Sequence, residues 1–270
     1  MITSTANERV KEIRKLRERK YRSETGFFLA EGTKIVLDAI NSGVVVQQLV
    51  IAPELIHTKG GRKALELAAH KNMEVLEVST SVFNSISEKD NPQGIAGVFV
   101  QTWTDSLSID TSNLGLWLGL FEVADPGNLG TIMRTMDAVG GKGLFLIDNC
   151  TDPYDPSAIR ASMGAVFSQK LCKMSKLDFV DKIKSNSLYA IGTSDAAIKD
   201  FHDQRYQKEM ILCMGSERQG IPSDIKEVCA ATVSIPMLGT GDSLNLAVAT
   251  GIVLYEILHQ TMKNNNQREK

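Results

Sequence analysis

The sequence predicts an α/β protein in two parts: a small domain over residues 1–102, a linker over 103–113 and a parallel-sheet domain over 114–270. Three observations predict it. Short apolar runs alternate with segments of helical length and pattern along most of the chain, which is how strands and crossover helices read in sequence. Residues 102–113 are polar, rich in Ser, Thr and Asp, and interrupt that alternation as a connecting segment does. Glycine-bearing loops follow the later apolar runs: Asp125-Pro126-Gly127-Asn128, Gly215-Ser216-Glu217, and a Gly-rich stretch leading into Ser243-Leu244-Asn245. Loops of this kind beyond the carboxyl ends of strands build ligand crevices from backbone groups.

The elements follow in order. Residues 5–22 read as one basic helix, and 26–32 as a short strand ending in a turn. Residues 34–41 form a helix that Gly43 stops. A strand (44–52), a helix (61–71), a strand (73–78), a short helix (81–87) and a strand (94–100) after the turn pair Asn91-Pro92 complete the first domain. The second opens with the continuous apolar run 114–123, the mark of a strand covered on both faces. A helix (129–139) and a strand (143–148) come next, then helices at 157–164 and 179–184. Strands are expected at 188–193, 210–214 and 232–235. The closing helix runs over 243–263 with Ser243 as N-cap, and the tail after it frays.

Bulk properties narrow the function. Of 270 residues 43% are apolar and 23% charged, and the net charge is −2, so the chain is a globular protein with no overall pull toward polyanions. Charge is uneven, however: between Arg9 and Arg22 eight Lys or Arg residues face two acids. That face either steers a nucleic acid or is an ordinary solvated helix. The cysteines (Cys150, Cys172, Cys213, Cys229) form no CxxC, which fits a reducing, cytoplasmic setting. The histidines form no metal-ligand pattern, so no metal is expected. No apolar stretch is long enough to span a bilayer, and the amino terminus lacks the apolar core of a signal peptide.

The first crevice loop excludes two enzyme classes. A nicotinamide enzyme needs GxGxxG after its first strand, and a doubly wound methyltransferase needs a similar turn. Here Val123 is followed by Ala-Asp-Pro-Gly-Asn-Leu-Gly, and no P-loop occurs. The crevice must come from the later loops.

Three segments, DPGNLGTIMRTMDAVG (125–140), LCMGSERQGIP (212–222) and IPMLGTGDSLNLAVATGIVLYE (235–256), resemble in order and spacing the three motifs of the SpoU/TrmH family. These are RNA ribose 2′-O-methyltransferases of the SPOUT superfamily. The basic helix, FFLAEGTKIVLDAI and NPQGIAGVFV resemble the small RNA-binding domain, of ribosomal-protein-like fold, that precedes the catalytic domain in many members. The resemblance covers nearly the whole chain. It implies a parallel sheet with a deep trefoil knot, a homodimer, S-adenosyl-L-methionine as cofactor and RNA as partner, with neither DNA nor a membrane involved.

The resemblance also implies site residues. Gly215, Ile235, Leu244 and Thr193 would line the cofactor pocket. Asn128, Arg134, Glu217, Ser243 and Asn245 would form the catalytic site. Arg9, Lys11, Arg14, Lys15 and Arg160 would meet RNA. Arg134 is either a base or a phosphate anchor near the ribose hydroxyl; a guanidinium with a pKa above ~12 resists deprotonation, whereas its planar donor fork suits a phosphate. Glu217 either holds Arg134, accepts from substrate or fixes its loop. Ser243 and Asn245 either cap the helix or also place the ribose. A separate RNA-binding domain points to 23S-type ribosomal RNA; transfer RNA, or a non-catalytic RNA-binding or ribosome-assembly role, are the alternatives.

Overall fold

Each strand expected from an apolar run forms in the computed structural model, which describes residues 1–216 and 218–268, with 264–268 as helix backbone only. Two units are present, Met1–Thr102 with Tyr154–Phe167, and Trp103–Pro153 with Ser168 onward.

The first unit contains α1 (Glu8–Lys15), α2 (Arg19–Thr25), β1 (Phe27–Glu31), α3 (Thr33–Asn41), β2 (Val46–Ile51), α4 (Lys59–His70), β3 (Val75–Glu77), α5 (Thr80–Ile86) and β4 (Ile95–Val100). Its sheet has the order β1-β4-β2-β3, with β4 antiparallel to both neighbours and β2 parallel to β3. The expected single basic helix is two. Leu16, buried against the sheet, ends α1, and Glu18 is extended. The break is held by Arg22, only 1% exposed, whose Nη1 donates to the Leu16 and Arg17 carbonyls at 2.9 and 2.7 Å. A long cation sealed in this way is stable only because its donors are used.

The second unit contains β5 (Leu116–Phe121), α6 (Pro126–Ala138), β6 (Gly143–Ile147) and, after the helix α7 (Pro156–Ser162) of the first unit, β7 (Lys170–Met174), α8 (Lys176–Ser185), β8 (Ala190–Thr193), β9 (Met210–Met214), α9 (Ser223–Val228), β10 (Ala231–Val233) and α10 (Leu246–Arg268). Its six strands run parallel in the order β10-β8-β9-β5-β6-β7. The central strands β5, β6 and β9 are buried almost throughout, as a parallel sheet requires. Gly119 in β5 leaves space for Phe179: a Cβ there would meet the Phe179 ring at 2.9 Å. Phe179 in turn packs edge-on against Phe121 and Phe145.

Four details depart from expectation. β7 and α9 were not foreseen. β7 is an edge strand whose two lysines, Lys170 and Lys173, break up its apolar run. Residues 103–113, expected as a linker, lie along the second unit: Thr104 N–H donates to the Leu171 carbonyl at 2.8 Å, and Ile109 is buried in that core. The segment around 157–164, expected in the second half, belongs to the first unit, where Phe28 meets the rings of Tyr154 and Phe167. Finally, α10 begins at Leu246, so Ser243 is not its cap. Among the described residues no helix is long and apolar enough to cross a membrane.

Candidate functional site

Strands β8, β9 and β10 all end toward one cleft of about 270 Å³ at the carboxyl edge of the second sheet. Thr193, Gly215, Ile235 and Leu244, the four cofactor candidates, all line it. Thr193 also locks the strand ends together, its hydroxyl donating to the Cys213 carbonyl at 3.2 Å. Gly215 is required by its loop. A Cβ there would overlap the Gly220 carbonyl group and the Ile221 nitrogen. The loop doubles back tightly, with Gly220 N–H donating to the Ser216 carbonyl at 2.9 Å. Only a residue without a side chain allows this approach.

The cleft has an apolar floor from Met214, Val233 and Leu246 and a mixed rim of Asp195, Asp242, Arg218 and Lys226. The sequence reasoning missed that charged rim. Its signal was local: Asp195 follows Thr193-Ser194 directly off a strand end, a common position for ligand contacts. Behind the cleft, Cys229 beside it, and then burial, hold the Cys213 thiol well above the usual thiol range, so it is a neutral packing group.

The first motif starts a helix earlier than its pattern suggests. Asp125 caps α6, its carboxylate accepting from Asn128 N–H at 2.6 Å, and Pro126 takes the first helical position, where its missing N–H costs nothing. Asn128 therefore sits in the first turn. Its side-chain oxygen accepts from the amide of Asn245 at 3.0 Å. Asn245, not Ser243, caps α10: its Oδ1 accepts from Ala247 and Val248 N–H. Further along the same two helices, a Cβ added at Gly251 of α10 would stand at ordinary van der Waals distance, 3.8 Å, from Thr135 Cγ2 of α6.

Arg134 lies on α6 six residues beyond Asn128, about 120° around the helix axis. It is exposed, and no hydrogen bond or ion pair ties it to another described residue. Ser243 is exposed on the cleft wall. Glu217 lies outside the described residues. Thus Asn128 and Asn245 are in contact, Ser243 and the four cofactor candidates share the cleft, and Arg134 projects from the helix whose first turn holds Asn128.

The RNA candidates belong to the first unit. Arg9 pairs with Glu74, Lys11 with Glu8 at 2.7 Å, and Arg14 donates to the Thr5 carbonyl at 2.8 Å. Lys15 lies 5.5 Å from the Tyr21 ring centre. Arg160, on α7, pairs with Glu88 at 3.0 Å and donates to Ser157. These side chains keep exposed charge despite their partners, and exposed pairs are weak enough to exchange for phosphate. Among the described residues no group of three or more His, Cys, Asp or Glu could hold a metal ion.

The chain is similar to known proteins along nearly its whole length. Residues 115–255 match the SpoU rRNA Methylase family model, and residues 7–97 match the MRM3-like substrate binding domain. An AdoMet-bound rRNA methyltransferase from Sinorhizobium meliloti has a crystal structure similar to this one, with a TM-score of 0.87 and 36% identity, covering 96% of this chain and 97% of that one. A tRNA/rRNA methyltransferase of Synechocystis, itself uncharacterized, is 32% identical over 96% of this chain and 93% of its own. The 23S rRNA (guanosine(2553)-2′-O)-methyltransferase of Bacillus subtilis is 27% identical, covering 95% of this chain and 98% of its own.

Proposed function

The chain belongs to the SpoU rRNA methylase family, and on that premise we propose that it methylates a ribose 2′-oxygen of RNA, in a 23S-type ribosomal RNA, with S-adenosylmethionine as donor. The observation that carries the reading is the cleft, where three strand ends deliver Thr193, Gly215 and Ile235 and the last loop delivers Leu244.

The cleft suits the donor chemically. An apolar floor accepts the adenine and the methylenes of the methionyl chain, and backbone groups freed by glycine can read the adenine edge. The rim holds both charge signs, matching a ligand with an ammonium, a sulfonium and a carboxylate. When bound, S-adenosylmethionine supplies an electrophilic methyl on a good leaving group, so no metal is needed.

The protein's residues then have alignment and proton handling to perform. Gly215 and Leu244 set the donor's position. Asn128 and Asn245 tie the start of α6 to the loop that carries Leu244 and Ser243. Arg134 anchors a phosphate of the target nucleotide and polarises the environment of its hydroxyl; its always-charged fork fits that role better than the role of base. Ser243 places the ribose, and Glu217 holds the loop or Arg134. Arg9, Lys11, Arg14, Lys15 and Arg160 supply exposed charge for the RNA backbone.

The enzyme works as a homodimer in this reading. Val248, Tyr255 and Met262 are exposed large hydrophobics at seven-residue spacing on α10, a stripe on one helix face that suits a helix partner. The family's trefoil knot is part of the reading too; the strand order is consistent with it, since β9 enters between β8 and β5 and the chain then passes β8 to lay β10 outside it. Four free cysteines agree with a cytoplasmic setting.

The test uses tritiated donor and ribosomal RNA from cells lacking the gene. A 2′-O-methyl group blocks alkaline cleavage at its nucleotide, so one protected position in large-subunit RNA is expected. Label on a base, with every position cleavable, would exclude the ribose assignment.

A further inference from the structure

Under α1, the first unit holds a second cavity of about 270 Å³, and the methyl-transfer reading makes no use of it. Its floor is apolar, with Ile13, Leu16 and Val98, while Tyr21, Gln47 and Gln48 bring polar atoms and an aromatic ring. The volume falls just below the ~300 Å³ at which drug-sized sites begin, which suits one ring system and not a whole nucleotide.

Two independent features mark the wall as built for a ligand. Strand β2 changes register against β4 between Val46 and Gln48. In a regular strand neighbouring side chains point to opposite faces. Here both Gln47 and Gln48 line the cavity, which is how a bulge re-aims side chains beside binding sites. The second feature is Gln48 itself. It is 8% exposed, in a strand whose next residues, Leu49, Val50 and Ile51, are buried and apolar. Its Nε2 donates to Glu74 at 2.5 Å, and Arg9 pairs with the same carboxylate. Its Oε1 has no partner among the described residues and is not sealed from solvent, so it is free to accept from a ligand.

We propose that this cavity receives one unstacked nucleobase of the RNA substrate. The base lies against Tyr21 and presents its hydrogen-bonding edge to Gln48 and Glu74, while neighbouring phosphates meet the basic side of α1 near Lys15. An amide and a carboxylate together offer donor and acceptor groups, and single-stranded RNA is read by splayed bases that stack on aromatic rings and pair at their edges. The proposal rests on the RNA reading above and adds where that RNA is read.

The test titrates the full-length protein, by fluorescence anisotropy, with labelled decaribonucleotides of A, C and U. Gln48→Leu keeps size and burial but removes the amide; Tyr21→Ala removes the ring. Each variant is expected to lose about tenfold or more in affinity for at least one of the three oligomers, with an unchanged melting temperature. Wild-type affinity of both variants for all three overturns the proposal. A nucleoside monophosphate that binds as tightly as the decamer also overturns it, since the ligand is then a free nucleotide. Should Gln48→Leu fail to fold, Gln47→Ala on the exposed rim makes the same comparison. Base-dependent binding by a wild-type protein that transfers no methyl group would sink the enzyme reading and leave the cavity assignment standing.

Discussion

The amide nitrogen of Asn245 donates to the side-chain oxygen of Asn128 across 3.0 Å, while the oxygen of the same Asn245 amide accepts from Ala247 and Val248 at 2.9 and 3.3 Å. One side chain both starts α10 and joins the third motif to the first. Substitution separates these two tasks. Asn245→Asp keeps the cap acceptor but sets oxygen against oxygen at Asn128; Asn245→Ala loses both. Denaturant unfolding should show a loss of about 1 kcal/mol for the Ala variant and little for the Asp variant. Methyl transfer should fall roughly tenfold or more in both, because loop alignment is lost in each. Full turnover by Asn245→Asp would confine Asn245 to capping.

Gly215→Ala is expected to open the loop, since the new methyl group has only backbone to displace. The change lies at one end of β9, so the sheet should persist. Calorimetry with S-adenosylmethionine should show affinity reduced by roughly two orders of magnitude, equivalent to about 3 kcal/mol, with the circular dichroism spectrum retained. Unaltered binding would remove Gly215 from the cofactor site.

Arg134 is exposed and unpaired among the described residues, so Arg134→Ala should change stability by no more than about 0.5 kcal/mol. Turnover should nearly vanish while donor affinity stays within about twofold of wild type, because Arg134 is on α6 whereas the donor cleft is lined by the segments after β8, β9 and β10. Arg134→Lys should restore little, as a point charge cannot form the bidentate fork. A Lys variant at wild-type rate would argue for charge alone.

Tyr255 is 54% exposed at the middle of the α10 stripe. A charge there should be tolerated by a monomer and rejected by an apolar interface. Tyr255→Glu is expected to sediment as a monomer where the wild-type protein sediments as a dimer. Identical sedimentation of the two would place any interface elsewhere.

Cysteine chemistry offers an internal ruler. Burial pushes the Cys172 thiol up to about 11 and raises that of Cys150, while Cys229 and burial raise that of Cys213. A raised thiol pKa means that the reactive thiolate is scarce below it, and it appears only as pH climbs toward that value. At pH 8 iodoacetamide should therefore label the partly exposed Cys229 first, as peptide mass mapping would record. Prior labelling of Cys172 would contradict the packing of its strand.

The strands were legible because burial writes directly into composition. LWLGLF, GLFLI and MILCM can sit only where both faces are covered. The lysine-flanked strand Lys170–Met174 was not legible, since an edge strand needs no continuous apolar run. Cap identity was also beyond the sequence: Ser243 and Asn245 are equally good caps by residue type, and only the backbone path from Gly241 decides between them. The cleft residues came from motif resemblance; Asp195 and Lys226, with no motif, emerged from geometry. Likewise no local pattern announces that Arg22, one cation among eight, is a buried clamp and not part of an RNA-facing surface.

The first unit is completed by Tyr154–Phe167, a segment that begins 52 residues after Thr102. Without it Phe28 loses two aromatic neighbours, the guanidinium of Arg22 loses Asp155, and the Tyr154 hydroxyl no longer bridges the Thr102 backbone. On the ribosome, then, the amino-terminal half cannot finish ahead of the rest: it waits, partly open, until the polypeptide has been extended through Phe167. Cutting the gene at the codon for Thr102 would free an unfinished piece, and any attempt to graft this unit onto another protein must carry the distant strip along with it.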